Sequence, residues 1–522
     1  MAVTAVLAGL AHAASMGSPW DGQTLPWLQL IALGTLAWQL QRCIGPKQAA
    51  WLGWLFTTAW LCGTFWWLYV SMHTYGGLPA PLAVLATLGL AAVLALYYSV
   101  ACALFVALAP ANKAWAAIVF AALWTLAEMA RGVWFTGFGW GAAAYAHIDG
   151  LALVAPYVGA YGICTVAAFL ACLIAGLVRR PFVLRPLAAV AVATAMTLAV
   201  ERPVGFAGPT FSSPAGTLDV ALLQGNIAQD EKFQPGTGIA DSLRWYGQQL
   251  TLNSASLIVA PETAIPLLPQ QLPDGYWDAM VKPFAQPSGN GKQALMIGIP
   301  LGSYSQGYTN SVVGIKPGAE PATATHPGQS YRYDKHHLVP FGEFIPPLFK
   351  WFTQMMNIPL GDFNRGAVGQ PSFEWQGQRL AVNICYEDMF GEELGARFID
   401  PATTPTIFVN ISNIGWFGNT VAIDQHLNIS RMRALEFERP FIRATNTGAT
   451  VIIDHTGHVT QSLPRHTRGV LRGQVQGRTG TPENGGGITP FAWWVSRFGL
   501  WPLWLLMTGI VLLAAWRHTR RT

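Results

Sequence analysis

From the N-terminus to about residue 200, long apolar stretches alternate with short polar loops. Residues 218 to about 475 carry short apolar runs between turns, and about 490 to 516 is apolar again. Stretches of about 17–25 apolar residues are long enough to cross a bilayer as helices, which satisfy their own backbone polar groups. The pattern predicts spans near 26–41, 49–70, 80–108, 114–130, 151–178, 183–200 and 493–516. The segment 2–16 is shorter, and "AHAAS" is similar to a signal-peptidase site. No Lys or Arg precedes it, as one would in a signal peptide. A retained first helix is therefore expected, for eight spans in all.

The middle region has a different period. "LDVALLQGN" (218–226), "ASLIVAPET" (255–263), "QALMIGIP" (293–300) and "YTNSVVGI" (308–315) read as strands. So do "LAVNICYE" (380–387), "TPTIFVNIS" (404–412), "FIRATN" (441–446) and "TVIIDHTGHV" (450–459). In 424–438, Leu427, Met432, Leu435 and Phe437 have helical spacing. Strands alternating with helices predict a layered α/β sandwich. The expected organisation is membrane helices over 1–205, a catalytic domain over 218–475 and a last helix with a basic tail over 490–522. Pro- and Gly-rich 477–489 reads as the linker.

Charge then orients the chain. It is 52% hydrophobic and only 11% charged, too apolar for an ordinary soluble enzyme. Arg42, Lys47, Lys113, Arg179, Arg180, Arg185, Arg517, Arg520 and Arg521 fall on one side of the predicted spans. The intervening loops hold only Arg131. By the positive-inside rule the first side is cytoplasmic. The 218–475 domain then faces away from the cytoplasm, which is the periplasm in a cell with two membranes. The net charge of +5 follows from topology, and no basic-aromatic patch suggests nucleic acid.

Cys385 is the one cysteine of the 218–475 region. In an oxidising compartment cysteines usually pair, so a lone thiol is either buried or working. Glu387 and Asp388 follow it in "NICYEDMF", and acids facing a thiol oppose its ionisation. Glu262 and Lys335 also sit just beyond short apolar runs, where a sandwich exposes side chains at one rim. A carboxylate there can take the thiol proton, and a lysine can hold a developing oxyanion.

"APET", "YDKHHLVPFGE" and "NICYED" resemble the three blocks of the nitrilase superfamily. Together with the flanking spans, "HLVPFGEF", "ICYE", "WFG" and "RMRALE" resemble its membrane-bound family, the apolipoprotein N-acyltransferases, over nearly the whole chain. The resemblance implies an αββα sandwich on an eight-helix membrane domain. It implies Glu262 as general base, Lys335 as stabiliser of the tetrahedral intermediate and Cys385 as nucleophile. Glu343 resembles the glutamate that positions the lysine, and Tyr386 and Glu387 resemble residues that order the site. Glu387 can avoid the thiol only if the strand turns at Cys385. Asp388 is expected at the surface. Asn310, Phe233 and Trp416 are substrate-binding candidates. Phe233 stands where the family often has Trp, and Ile414 where it has an acid. Arg443 is either a strand-end charge or part of the site wall.

The apolar stretch 344–361 reads as core or as a lipid-dipping arm, with Phe349, Phe352 and Met356 as acyl-chain contacts. The implied reaction moves an acyl chain from a phospholipid, through a Cys385 thioester, to the N-terminal amine of a diacylglyceryl apolipoprotein. A monomer with no cofactor is expected. A membrane-tethered amidase or nitrilase, and a transporter or scaffold with a decayed domain, are the rival readings. His336, His337, Asp424 and His426 lack metal-ligand spacing, so no metal is expected. Glu128 and Arg131, one helical turn apart, read as a snorkelling interfacial pair or a functional intramembrane one.

Overall fold

Alternation decides the central layers. In β1 (Ser213–Gln224), Leu218, Val220 and Leu222 point one way, and Ala221 and Leu223 the other. The computed structural model describes residues 1–108, 110, 112–177, 210–286, 293–303, 305–318, 331–345, 362–480 and 487–520. The further strands are β2 (Leu257–Val259), β3 (Ala294–Ser303), β4 (Gly307–Ile315), β5 (Tyr331–Asp334), β6 (Phe373–Trp375) and β7 (Gln378–Ile384). β8 (Ile407–Ser412), β9 (Phe441–Thr445), β10 (Val451–Ile453), β11 (Val459–Ser462) and β12 (Gly469–Thr479) follow. They form two six-stranded sheets, ordered β12-β1-β2-β3-β4-β5 and β11-β10-β9-β8-β7-β6.

The sheets face each other across one apolar layer. Leu218, Val220 and Val259 from one sheet meet Leu380, Val382, Val409 and Ile442 from the other, all fully buried. Each such side chain contributes about 1.5–3 kcal/mol relative to exposure. β1-β2-β3 and β7-β8-β9 are parallel runs, so their crossovers put helices on the outer faces. Ala240–Leu252 and Tyr276–Ala285 cover the first sheet through Trp245, Tyr246, Trp277 and Phe284. Ala422–Phe437 covers the second through Ile429, Met432 and Leu435, against Phe408 and Phe441. The fold is thus the expected nitrilase-like sandwich. β5, β6 and β12 were not singled out as strands in the sequence reading. β12 also takes up Gly477–Thr479, the start of the expected linker.

The helices outside the sandwich are α1 (Ala2–Ser15), α2 (Pro26–Leu40), α3 (Pro46–Thr64), α4 (Ala80–Leu108), α5 (Lys113–Val133) and α6 (Ala155–Leu177). Pro26 and Pro46 start two of them, and the Asn112 side chain caps α5 by accepting from Trp115 N at 3.0 Å. Among the described residues, three helices are long and apolar enough to cross a membrane: Ala80–Leu108, Lys113–Thr136 and Leu151–Gly176. The 15 residues of α2 reach only about 22 Å, short of a ~30 Å hydrocarbon core.

The expected span 493–516 is instead two helices, Pro490–Phe498 and Trp501–Thr519, bent by 88°. Gly499 adopts φ +54°, and Pro502 opens the second helix. Counted as one span, the pair makes four among the described residues, against eight expected. The expected span 183–200 lies outside the described residues.

α4 leaves Leu85, Val93, Leu96 and Val100 exposed, an apolar face fitted to lipid. Elsewhere the helices share one continuous core with the sandwich, in which Tyr386, Met389, Phe390 and Phe437 belong. Sequence period alone did not indicate this fusion. Glu128 and Arg131 are fully buried and paired at 2.9 Å, so the snorkelling reading is replaced by an internal ion pair.

Candidate active site

Three strand ends converge. Glu262 follows β2 after Ala260 and Pro261, Lys335 follows β5 directly, and Cys385 follows β7 directly. The first two come from one sheet and the cysteine from the other. Lys335 Nζ donates to Glu343 Oε1 at 2.7 Å and to Glu262 Oε1 at 3.2 Å. Asn310 Nδ2 donates to the same two oxygens, at 2.8 Å and 2.7 Å. Glu262 Oε2 accepts from Asn413 N at 2.8 Å, and Glu343 Oε2 from Val339 N at 2.8 Å. Every carboxylate oxygen in the group is thus held by a donor, which fixes both side chains.

Electrostatics follow from that set. Burial disfavours the Glu262 charge, but Lys335, Asn310, Lys232 and Asn413 outweigh it and hold the carboxyl below its usual range. Burial also disfavours the Lys335 charge, yet Glu262 and Glu343 raise it above the ordinary lysine range. The Cys385 thiol is pushed up to about 12 by burial and by Glu262, with Lys335 opposing. At neutral pH the resting group is therefore a thiol beside a carboxylate and an ammonium. Reaction requires the proton to leave as the sulfur attacks.

The backbone explains how acids can follow a nucleophile. β7 ends at Ile384, Cys385 takes φ +52°, and Cys385–Met389 is a tight helical turn. That turn swings Glu387 away from the sulfur. Glu387 Oε2 accepts from Ile384 N and the Tyr333 hydroxyl, both at 2.7 Å. Its Oε1 accepts from His336 N at 2.6 Å and His337 N at 3.1 Å. Glu387 therefore ties the turn to the segment just after Lys335. Burial still raises its carboxyl above the usual range despite these donors.

Asp388 is not at the surface, as expected, but fully buried. It accepts from Arg443 at 3.1 Å and from the Ser430 hydroxyl, and meets His426 Nε2 at 3.1 Å. Burial opposes its charge, but His426, Arg443 and Ser430 hold it below the usual carboxylate range. Arg443 also donates to His426 Nδ1 at 3.0 Å, so Nε2 carries the ring proton and donates to Asp388 and to the Cys385 carbonyl at 3.2 Å. Arg443 braces the turn from behind and does not line the cavity.

Cys385, Glu262, Lys335, Glu343, Asn310, Tyr386, Phe233 and Trp416 open on one cavity of about 1680 Å³. Its far wall is apolar and is built by α4, α5 and the last helix, through residues such as Leu90, Val93, Val100, Leu126 and Trp504. Phe349, Phe352 and Met356 lie outside the described residues. The reading from residues missed Asn413 and Lys232, and weighed His426 only as a metal ligand. Lys232 is buried, donates to the Glu262 carbonyl at 3.2 Å, and is pushed down to about 7 by burial. Its only signal was adjacency to Phe233. Among the described residues no three metal-ligating side chains gather. Asp424 pairs with Arg465 instead.

A family model described as the apolipoprotein N-acyltransferase N-terminal domain matches residues 8–173, and the carbon-nitrogen hydrolase model matches 219–481. The apolipoprotein N-acyltransferase of Verminephrobacter eiseniae is 59% identical over 95% of this chain and 92% of its own length. That of Ralstonia nicotianae is 43% identical over 95% and 90%, and that of Bordetella bronchiseptica 40% identical over 98% and 96%. With two successive family models and such relatives spanning its length, the chain belongs to the apolipoprotein N-acyltransferases, acyltransferases of the nitrilase superfamily.

Proposed function

We propose that this enzyme takes an acyl chain from a membrane phospholipid onto Cys385 and passes it to the N-terminal amine of a diacylglyceryl apolipoprotein. The observation that carries the reading is the shared cavity. One end holds Glu262, Lys335 and Cys385, and the other is an apolar wall of helices long enough to cross a bilayer. A water-soluble amide would need no such wall. The enzyme sits in the bacterial inner membrane with residues 218–475 on the periplasmic side, in keeping with the distribution of Lys and Arg.

In the first step Cys385 Sγ attacks the ester carbonyl while Glu262 takes the thiol proton. The oxyanion of the tetrahedral intermediate forms beside the Lys335 ammonium, which Glu343 holds in place. The C–O bond breaks, and Glu262 returns the proton to the departing lysophospholipid alkoxide. In the second step the lipoprotein amine attacks the thioester carbonyl and gives a proton to Glu262. The C–S bond breaks, and the sulfur is reprotonated. Glu262 serves both steps, and no cofactor enters either.

The test is intact mass after brief incubation with phospholipid alone, for wild type and Cys385→Ala. A fatty-acyl increment on wild type only, removed by neutral hydroxylamine, supports the thioester. Added diacylglyceryl peptide then discharges it as an amide. A folded wild type that never gains the increment rejects the phospholipid donor. Discharge to water with no amide product favours the hydrolase reading instead.

A further inference from the structure

Arg131 lies in an apolar helix, is 1% exposed, and directs its guanidinium at one short loop. One terminal nitrogen donates to the carbonyls of Phe138 at 2.6 Å and Trp140 at 2.8 Å. The other donates to Glu128 Oε2 at 2.9 Å, and Nε donates to the Tyr98 hydroxyl at 2.8 Å. Glu128 Oε1 accepts from Ala143 N at 3.2 Å. The ion pair thus grips residues 138–143 from the membrane side.

The other side of the same loop touches the catalytic domain. The Tyr386 hydroxyl donates to the Gly137 carbonyl at 3.1 Å. His337 Nε2 donates to the Thr136 carbonyl at 2.7 Å. Trp140 Nε1 donates to Gln425 Oε1 at 2.8 Å, next to the His426 that bonds the Cys385 carbonyl. Gly137, Phe138 and Trp140 also line the cavity. Two buried charges inside apolar helices are costly, and packing alone would be served as well by aliphatic side chains.

We propose that Arg131, with Glu128, is a positioning residue. It holds the 136–143 loop so that Gly137 keeps Tyr386, and through it the Cys385 turn, in place for attack. This rests on the acyl-transfer reading above. The effect passes through carbonyl oxygens and a tyrosine hydroxyl and involves no contact with the reacting atoms.

The experiment is the single-turnover rate constant of acyl-mass gain from phospholipid, which counts only folded, reactive enzyme. Arg131→Ala should lower it about ten- to a hundredfold. Arg131→Lys should restore part of the loss. Tyr386→Phe should fall in the same direction, and the double variant should be no slower than the slower single, because both changes break one chain of contacts. Fully multiplicative effects overturn the inference, as does a wild-type rate in Arg131→Ala. Should Arg131→Ala not fold, Tyr98→Phe keeps the ion pair and should slow acylation roughly threefold; no change there also overturns it. A wild type that never gains acyl mass rejects the acyl-transfer reading itself.

Discussion

The two ends of the cavity are built on opposite principles. At the sandwich rim, Glu262, Glu343, Lys335 and Asn310 are each held by directional hydrogen bonds of 2.7–3.2 Å. At the helical wall, Leu90, Val93 and Val100 offer surface and no directional bond. A reacting carbonyl needs donors and acceptors fixed before it arrives, since rearranging them during the reaction would cost as much as they contribute. An acyl chain needs only a dry surface of the right extent. The rim should therefore govern chemistry with any donor, and the wall should govern which donors react.

The sharpest way to break that division is at the base. Glu262→Gln should lower acylation by roughly 10²–10⁴-fold with phospholipid and with a short soluble thioester alike, read as single-turnover mass gain. Selective loss on phospholipid would move Glu262 to substrate binding. Lys335→Met should cost about 10²–10³-fold on both donors, because it removes the charge beside the developing oxyanion. It also leaves Glu262 and Glu343 facing each other, with Asn310 bonding both and Asn413 N and Val339 N each holding one of them. Near-normal kcat in this variant would leave the oxyanion to backbone donors.

The wall is probed by bulk. Val93→Trp should slow acylation from long-chain phospholipid about tenfold while sparing the short thioester. Equal loss on both would mean that the wall also shapes the rim.

The smallest effect is on stability. Glu262 has a lowered pKa in the folded protein, so its contribution is present above its unfolded value of about 4.3 and lost as pH falls through the folded value. Thermal midpoints should decline with acid below about pH 4, and more gently in Glu262→Gln. Parallel curves would mean that other buried acids such as Asp388 carry the acid sensitivity.

Much of this was legible from local pattern. Short apolar runs between turns marked β1, β7 and β8, and Glu262, Lys335 and Cys385 stood out because strands deliver their last side chains to a rim. Glu387 could be read as needing a turn, and Cys385 at φ +52° supplies one. Asp388 was misread because an acid just beyond a strand usually meets water; its partners His426 and Arg443 are 38 and 55 residues away. The break at Gly499 was missed because an apolar run has the same composition whether straight or bent.

The amino-acid order was sufficient for the apolar helices, the strands and the chemical identity of the nucleophile, since each depends on neighbours within a few positions. Only the tertiary structure decided which acid faces the thiol and which faces away. It also decided that a buried arginine of α5 reaches the loop beside Tyr386, and that rim and wall enclose one cavity. Those are contacts between residues hundreds of positions apart, as in Gln425 Nε2 donating to the Thr64 carbonyl 361 positions away. No local preference encodes such contacts; they follow from packing two sheets and a set of apolar helices into a shared core.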